Sequence, residues 1–77
     1  MGKPRGQEPK MKPNYQVKAN GMRTRTYSYS NMGWDNAVSF ANYIYQCEGA
    51  ENVRFIEHRE DGTTVERVVD DKFESYM

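Results

Sequence analysis

Two dipeptides, Asn20-Gly21 and Asp61-Gly62, constrain this chain more than any other feature of it. Each readily supplies the two positive φ angles of a type I′ turn, and alternating residues on both sides make it a hairpin signal. Before the first lies Tyr15-Gln16-Val17-Lys18-Ala19, apolar and polar by turns as in a half-buried strand. After it, Met22 to Ser30 returns as a strand rich in Thr and Tyr. Asn52 to Arg59 and Thr63 to Asp70 flank the second dipeptide in the same way. A two-residue first turn places Ala19 opposite Met22, Val17 opposite Thr24 and Tyr15 opposite Thr26. The other face then carries Gln16, Lys18, Arg23, Arg25, Tyr27 and Tyr29. A two-residue second turn sets His58 against Val65 and Ile56 against Arg67. Val53, Phe55, Glu57, Glu66 and Val68 then share one face, and Arg54, Ile56, His58, Val65, Arg67 and Val69 the other. Val53, Phe55 and Val68 mark the core side, unless a bulge mixes the two faces.

A helix is expected between the hairpins. Trp34, Ala37, Val38, Ala41, Ile44 and Tyr45 recur at helical spacings, and Phe40 and Cys47 widen the stripe. Asn31 or Gly33 is suited to cap it, Asp35 suits its first turn, and Gly49 suits the left-handed position beyond its end. The spacing predicts a helix over 33–48. The order strand–strand–helix–strand–strand therefore predicts an α+β fold, ββαββ, with one helix packed on a four-stranded, mainly antiparallel sheet. Trp34 reads as a residue between helix and sheet rather than an exposed anchor.

At 77 residues, with 36% apolar residues and a mean hydropathy of −1.04, there is material for one domain with a thin core. Residues 1–14 hold all three prolines and no apolar period, so they read as a disordered basic arm. The domain is expected over 15–70, followed by an acidic, frayed tail over 71–77.

Several function classes are not supported. There is no apolar run of membrane-spanning length and no secretory signal. Gly6 stands where a myristoylation motif wants Ser or Thr. The single cysteine, Cys47, excludes an internal disulfide, suits a reducing cytoplasm and reads as a small apolar helix residue. Cys47 and the one histidine, His58, do not make a metal site, and phosphate-loop and dinucleotide motifs are missing. The expectation is a cytoplasmic, non-enzymatic protein without a cofactor.

The formal charge is zero but unevenly spread. Residues 1–26 carry seven bases and one acid, and residues 27–77 carry four bases and ten acids, giving +6 and −6. Such a dipole bears on partners and steering, not on fold. Lys18, Arg23, Arg25, Tyr27 and Tyr29, joined by Arg54 and Arg67 of the second hairpin, form the candidate binding surface. Arginine and tyrosine suit the centre of a protein interface, which favours a protein partner. The alternative is single- or double-stranded nucleic acid, with bases stacking on the tyrosines and phosphates following the cations and the arm.

The segment TYSYSNMGWDNAVSFANYIYQCEGAENVRFIEH, a hairpin–helix–strand unit in a short charged chain, resembles the small early proteins with which lytic bacteriophages redirect host enzymes. The resemblance spans about residues 15–70. It implies a binder that blocks or retargets a host protein such as RNA polymerase, a nuclease or a CRISPR effector. The likeness fixes no site residue.

Overall fold

The computed structural model describes residues 12–73. Strands β1 (Asn14–Lys18) and β2 (Arg25–Ser28) precede helix α1 (Asn31–Gln46), and β3 (Arg54–His58) and β4 (Thr64–Val68) follow it. The four strands form one sheet in the order β2-β1-β3-β4, and all three ladders are antiparallel. The helix lies across one face. This is the α+β ββαββ architecture expected from the sequence.

Neither hairpin has the expected register. In the first, Tyr15 pairs with Tyr27 and Val17 with Arg25, one residue away from a type I′ arrangement. Asn20 does not take a positive φ, whereas Gly21 does (74°), and Met22 N–H donates to Ala19 O at 3.2 Å. That is a β-turn with its left-handed angle at the third position, followed by a longer loop, rather than a two-residue connection. In the second hairpin Arg59 N–H donates to Thr63 O at 2.9 Å, leaving Glu60, Asp61 and Gly62 as a three-residue loop. Gly62, at φ 92°, takes up the bulge, and Asp61 Oδ1 accepts from Thr63 N–H at 2.9 Å.

A shift of one residue turns every side chain of a strand to the other face. β1 and β3 sit as expected, with Tyr15, Val17 and Phe55 buried under the helix. β2 and β4 are inverted. Tyr27 and Tyr29 pack against the core, and Met22, expected inward, is exposed. Val68, taken as a core residue, is 55% exposed, while Val69 is buried.

Helix α1 starts where Ser30 Oγ accepts from Gly33 N–H at 3.0 Å, so Ser30 is its N-cap rather than Asn31 or Gly33. Asp35 consequently lies beyond the first turn, which holds no acid. At the other end Cys47 N–H donates to Tyr43 O at 2.8 Å, and Gly49 has the expected left-handed φ of 67°. Cys47 is the C-cap and is exposed, not part of the buried stripe.

The core joins Ala37, Val38, Ala41 and Ile44 of α1 to Tyr15, Val17, Val53, Phe55, Val69 and Phe73. Each fully buried large apolar side chain contributes on the order of 1.5–3 kcal/mol. Phe73 falls within the segment expected to fray, yet it is 1% exposed with its ring centroid 5.5 Å from that of Phe55. The packed unit therefore continues to that residue. Of the expected basic arm, residues 1–11 lie outside the described residues, and Asn14 is already the first residue of β1.

Gly33 fixes the distance between helix and sheet. A Cβ built there would stand 1.8 Å from Ser28 O, with no flexible side chain in between to give way. Gly33→Ala must therefore push the helix start away from the end of β2, at a cost of about 1–3 kcal/mol. Urea unfolding of the variant should show that loss in midpoint with little change in slope. An unchanged midpoint would contradict this close approach.

Candidate interaction site

The seven residues expected to share one surface are distributed over three places. Lys18 and Arg54 lie on the sheet face that the helix leaves uncovered, directly opposite one another across β1 and β3. Arg23 and Arg25 stand at the start of β2 beside the C-terminal half of α1. Tyr27, Tyr29 and Arg67 are on the helix side, half-buried. The single aromatic and basic platform does not exist, because the inverted β2 takes its tyrosines beneath the helix.

The uncovered face is polar. Thr26, Gln16, His58 and Thr64 run across all four strands: Gln16 Nε2 donates to Thr26 Oγ1 at 3.3 Å, Gln16 Oε1 lies 2.7 Å from His58 Nε2, and Thr64 Oγ1 lies 3.5 Å from His58 Nδ1. Arg54 is ion-paired with Glu66 and donates through Nε to Asn52 Oδ1 at 3.0 Å. Ile56 is buried, set in register between Gln16 and Glu66. The one aromatic ring on this face of β1–β4 is the His58 imidazole, hydrogen-bonded within the row, and no Tyr, Phe or Trp lies there to stack a base.

On the helix side, Tyr29 and Arg67 have structural roles. Tyr29 stacks on Tyr15 at 5.0 Å and donates its hydroxyl to Glu57 Oε2 at 3.1 Å. Glu57, whose side chain is 13% exposed, also has Arg59 at 3.4 Å and Arg67 at 3.6 Å. Arg67 lies over the Trp34 ring at 6.0 Å. Trp34 meets Tyr15 and Phe55 edge to face at 5.3 and 5.1 Å, the position between helix and sheet that its place in the stripe implies. One carboxylate thus ties β3, β4 and the segment after β2 together.

Arg23 and Arg25 differ from these. Among the described residues no carboxylate pairs with either, and both are exposed. The Arg25 guanidinium lies 4.5 Å from the centre of the Phe40 ring, held there by cation–π attraction. They border a cleft of about 570 Å³ whose other lining residues include Met22, Phe40, Tyr43 and Glu48. Tyr43 is 51% exposed, and its hydroxyl donates to Glu48 Oε2 at 2.8 Å. Met22, Phe40 and Tyr43 were not singled out from the sequence as contact residues. Phe40 lies three residues from both Ala37 and Tyr43, so the widened helical stripe is the signal that could have found it.

A smaller cleft of about 330 Å³ on the uncovered face is lined by Lys18, Asn52, Arg54, Ile56 and Glu66 among others. Among the described residues there is no group of three or more His, Cys, Asp or Glu placed to hold a metal ion, and no helix is long and apolar enough to cross a membrane. Comparison with protein families, with characterised proteins and with solved structures finds no match to this chain.

Four tyrosines ionise above their usual value near 10. Burial raises Tyr15, with the Glu57 charge adding to it. Desolvation and then the Glu57 hydrogen bond raise Tyr29. The hydrogen bonds to Glu48 and Asp71 come first for Tyr43 and Tyr45. Stability from these neutral phenols is complete below the unfolded value and is lost as pH rises through the raised folded values. The urea midpoint should therefore be insensitive to phenol ionisation below pH ~9 and fall above pH ~10. Tyrosinate absorbance should likewise appear at higher pH in the folded chain than in urea. Coincident titration curves would refute these contacts.

Proposed function

We propose that this chain is a non-enzymatic binding module that engages a protein partner and modulates it by covering part of its surface. The contact surface in this reading is the cleft beside the start of β2, with Arg23, Arg25, Met22, Phe40 and Tyr43 at its centre. The observation that supports it is the coincidence, in one concavity, of two arginines that pair with no carboxylate among the described residues and three large side chains reachable from solvent. Arginine, tyrosine and methionine are enriched at protein interfaces, and anchors of this kind dominate their energetics. The resemblance to early bacteriophage proteins favours a bacterial host enzyme as the partner. A second reading, nucleic acid, draws on Lys18 and Arg54 facing each other across two strands, but on that face of β1–β4 only His58, bonded to Gln16, offers a ring, without the Tyr, Phe or Trp such binding favours.

The two readings separate by position. A photo-cross-linking side chain placed at Tyr43 should capture a discrete protein from a bacterial lysate. The same group at Thr64, on the uncovered face, should not. Arg23→Glu should weaken the capture at Tyr43 by about tenfold, the scale of one interface anchor. Capture from Thr64 alone would move the interface to the uncovered sheet face. Retention of labelled oligonucleotides at low salt, abolished by Lys18→Glu, would replace the protein reading with the nucleic-acid one.

A further inference from the structure

The sheet has two outer strands, and they differ in charge. β2 lies at one end of the order β2-β1-β3-β4, and among the described residues no strand pairs with its outer side. Arg23 and Arg25 stand at its start, and the strand itself, Arg25-Thr26-Tyr27-Ser28, carries no acid and no proline. β4 at the other end carries Glu66 beside Arg67 and is flanked by Asp61, Asp70 and Asp71. Exposed strand edges present backbone groups that accept an added strand, and side chains of that strand alternate between the two faces of the sheet. On the helix side of β2, such side chains would meet the cleft of Arg25, Phe40 and Tyr43.

Resting on the protein-binding reading, we infer that the occupant is an extended acidic segment of the partner, added as a fifth strand along the outer side of β2. Backbone hydrogen bonds to β2 hold the segment. One of its carboxylates meets Arg25 and Arg23, and its neighbouring apolar side chain two residues away enters the cleft against Phe40 and Met22. Charge complementarity selects the occupant: among the described residues the arginines at this edge pair with no carboxylate, Glu48 of the same cleft accepting from Tyr43 instead, so an acidic residue gains two charge-assisted contacts without breaking an ion pair. A basic or neutral segment gains neither. The acidic β4 side of a second copy could offer the same chemistry, which makes self-association the competing outcome.

The test uses three labelled synthetic peptides and the full chain. In the first, a glutamate and a valine two residues apart share one face of the strand, threonines fill the positions between, and the chain ends in tyrosine. The second has glutamine in place of glutamate. The third keeps glutamate but carries N-methyl groups on the amides of one edge, which removes strand pairing. Fluorescence anisotropy should show the first binding at least tenfold more tightly than either of the others. Its affinity should fall with salt. Arg23→Glu, a loop substitution that leaves the core untouched, should abolish the preference for glutamate, and Arg25→Glu should do the same with an unchanged far-ultraviolet circular dichroism spectrum. Equal binding of the glutamate and glutamine peptides overturns the inference, as does full binding of the N-methylated one. Light scattering that shows concentration-dependent self-association, removed by Arg25→Glu, also overturns it in favour of a second copy. If the Tyr43 cross-link captures a protein while all three peptides bind equally or not at all, this inference falls and the broader reading stands.

Discussion

The register of two hairpins governs everything that this chain shows to its surroundings. A sheet covered on one side has no tolerance for a slip, because one residue exchanges the whole inner set of a strand for its outer set. Gly21 and Gly62 set the two registers through single left-handed residues rather than through paired ones. Because of this, Tyr27 and Tyr29 lie under the helix and the uncovered face is left with Thr26, Gln16, His58 and Thr64. The cleft and its arginines follow from the same half-turn of β2.

Tyrosines brought inward need partners for their hydroxyls, and the fold provides them at the margins. Glu57 takes Tyr29 and Asp71 takes Tyr45, while Glu48 takes the exposed Tyr43 at the end of α1. Each bond joins elements that are distant in sequence or anchors the end of α1. This helps explain how so polar a chain closes a core around Phe55: aromatic bodies fill the interior and their polar ends reach carboxylates at the rim. Phe73 extends that core beyond the last strand, and Gly33 allows the helix to come close enough to cover it.

The elements were legible because their signals are local. The period of Trp34, Ala37, Val38, Ala41 and Ile44 is an intrinsic helix pattern, and the alternation in 15–19 and around Phe55 orients β1 and β3 correctly. Orientation of β2 and β4 was not legible, since β2 sets Arg25 and Tyr27 against Thr26 and Ser28, β4 mixes apolar and charged residues on both faces, and only the turn decides between them. Asn-Gly and Asp-Gly are compatible with more than one loop length, and in each hairpin a longer loop won. Cys47 was misread because the stripe was extended one residue past the last turn, and Phe73 because an isolated aromatic among charges carries no period. Of the expected contact residues, Arg23 and Arg25 remain together at the cleft. Lys18 and Arg54 were placed on the correct face of their strands, but inversion of β2 separated them from the others. Tyr29 and Arg67 belong to the Glu57 network, a grouping that requires β2 and β4 to be turned and so could not be read from spacing.

Nuclear Overhauser contacts across β1 and β2 in the full chain measure that orientation directly. The structure predicts backbone contacts linking Gln16 with Thr26 and Tyr15 with Tyr27, and ring-proton contacts linking Tyr27 with Phe40 and Tyr15 with Tyr29. Backbone contacts pairing Tyr15 with Thr26 and Val17 with Thr24, with the rings of Tyr27 and Tyr29 open to solvent, would contradict it and dissolve the cleft along with the surface built on it.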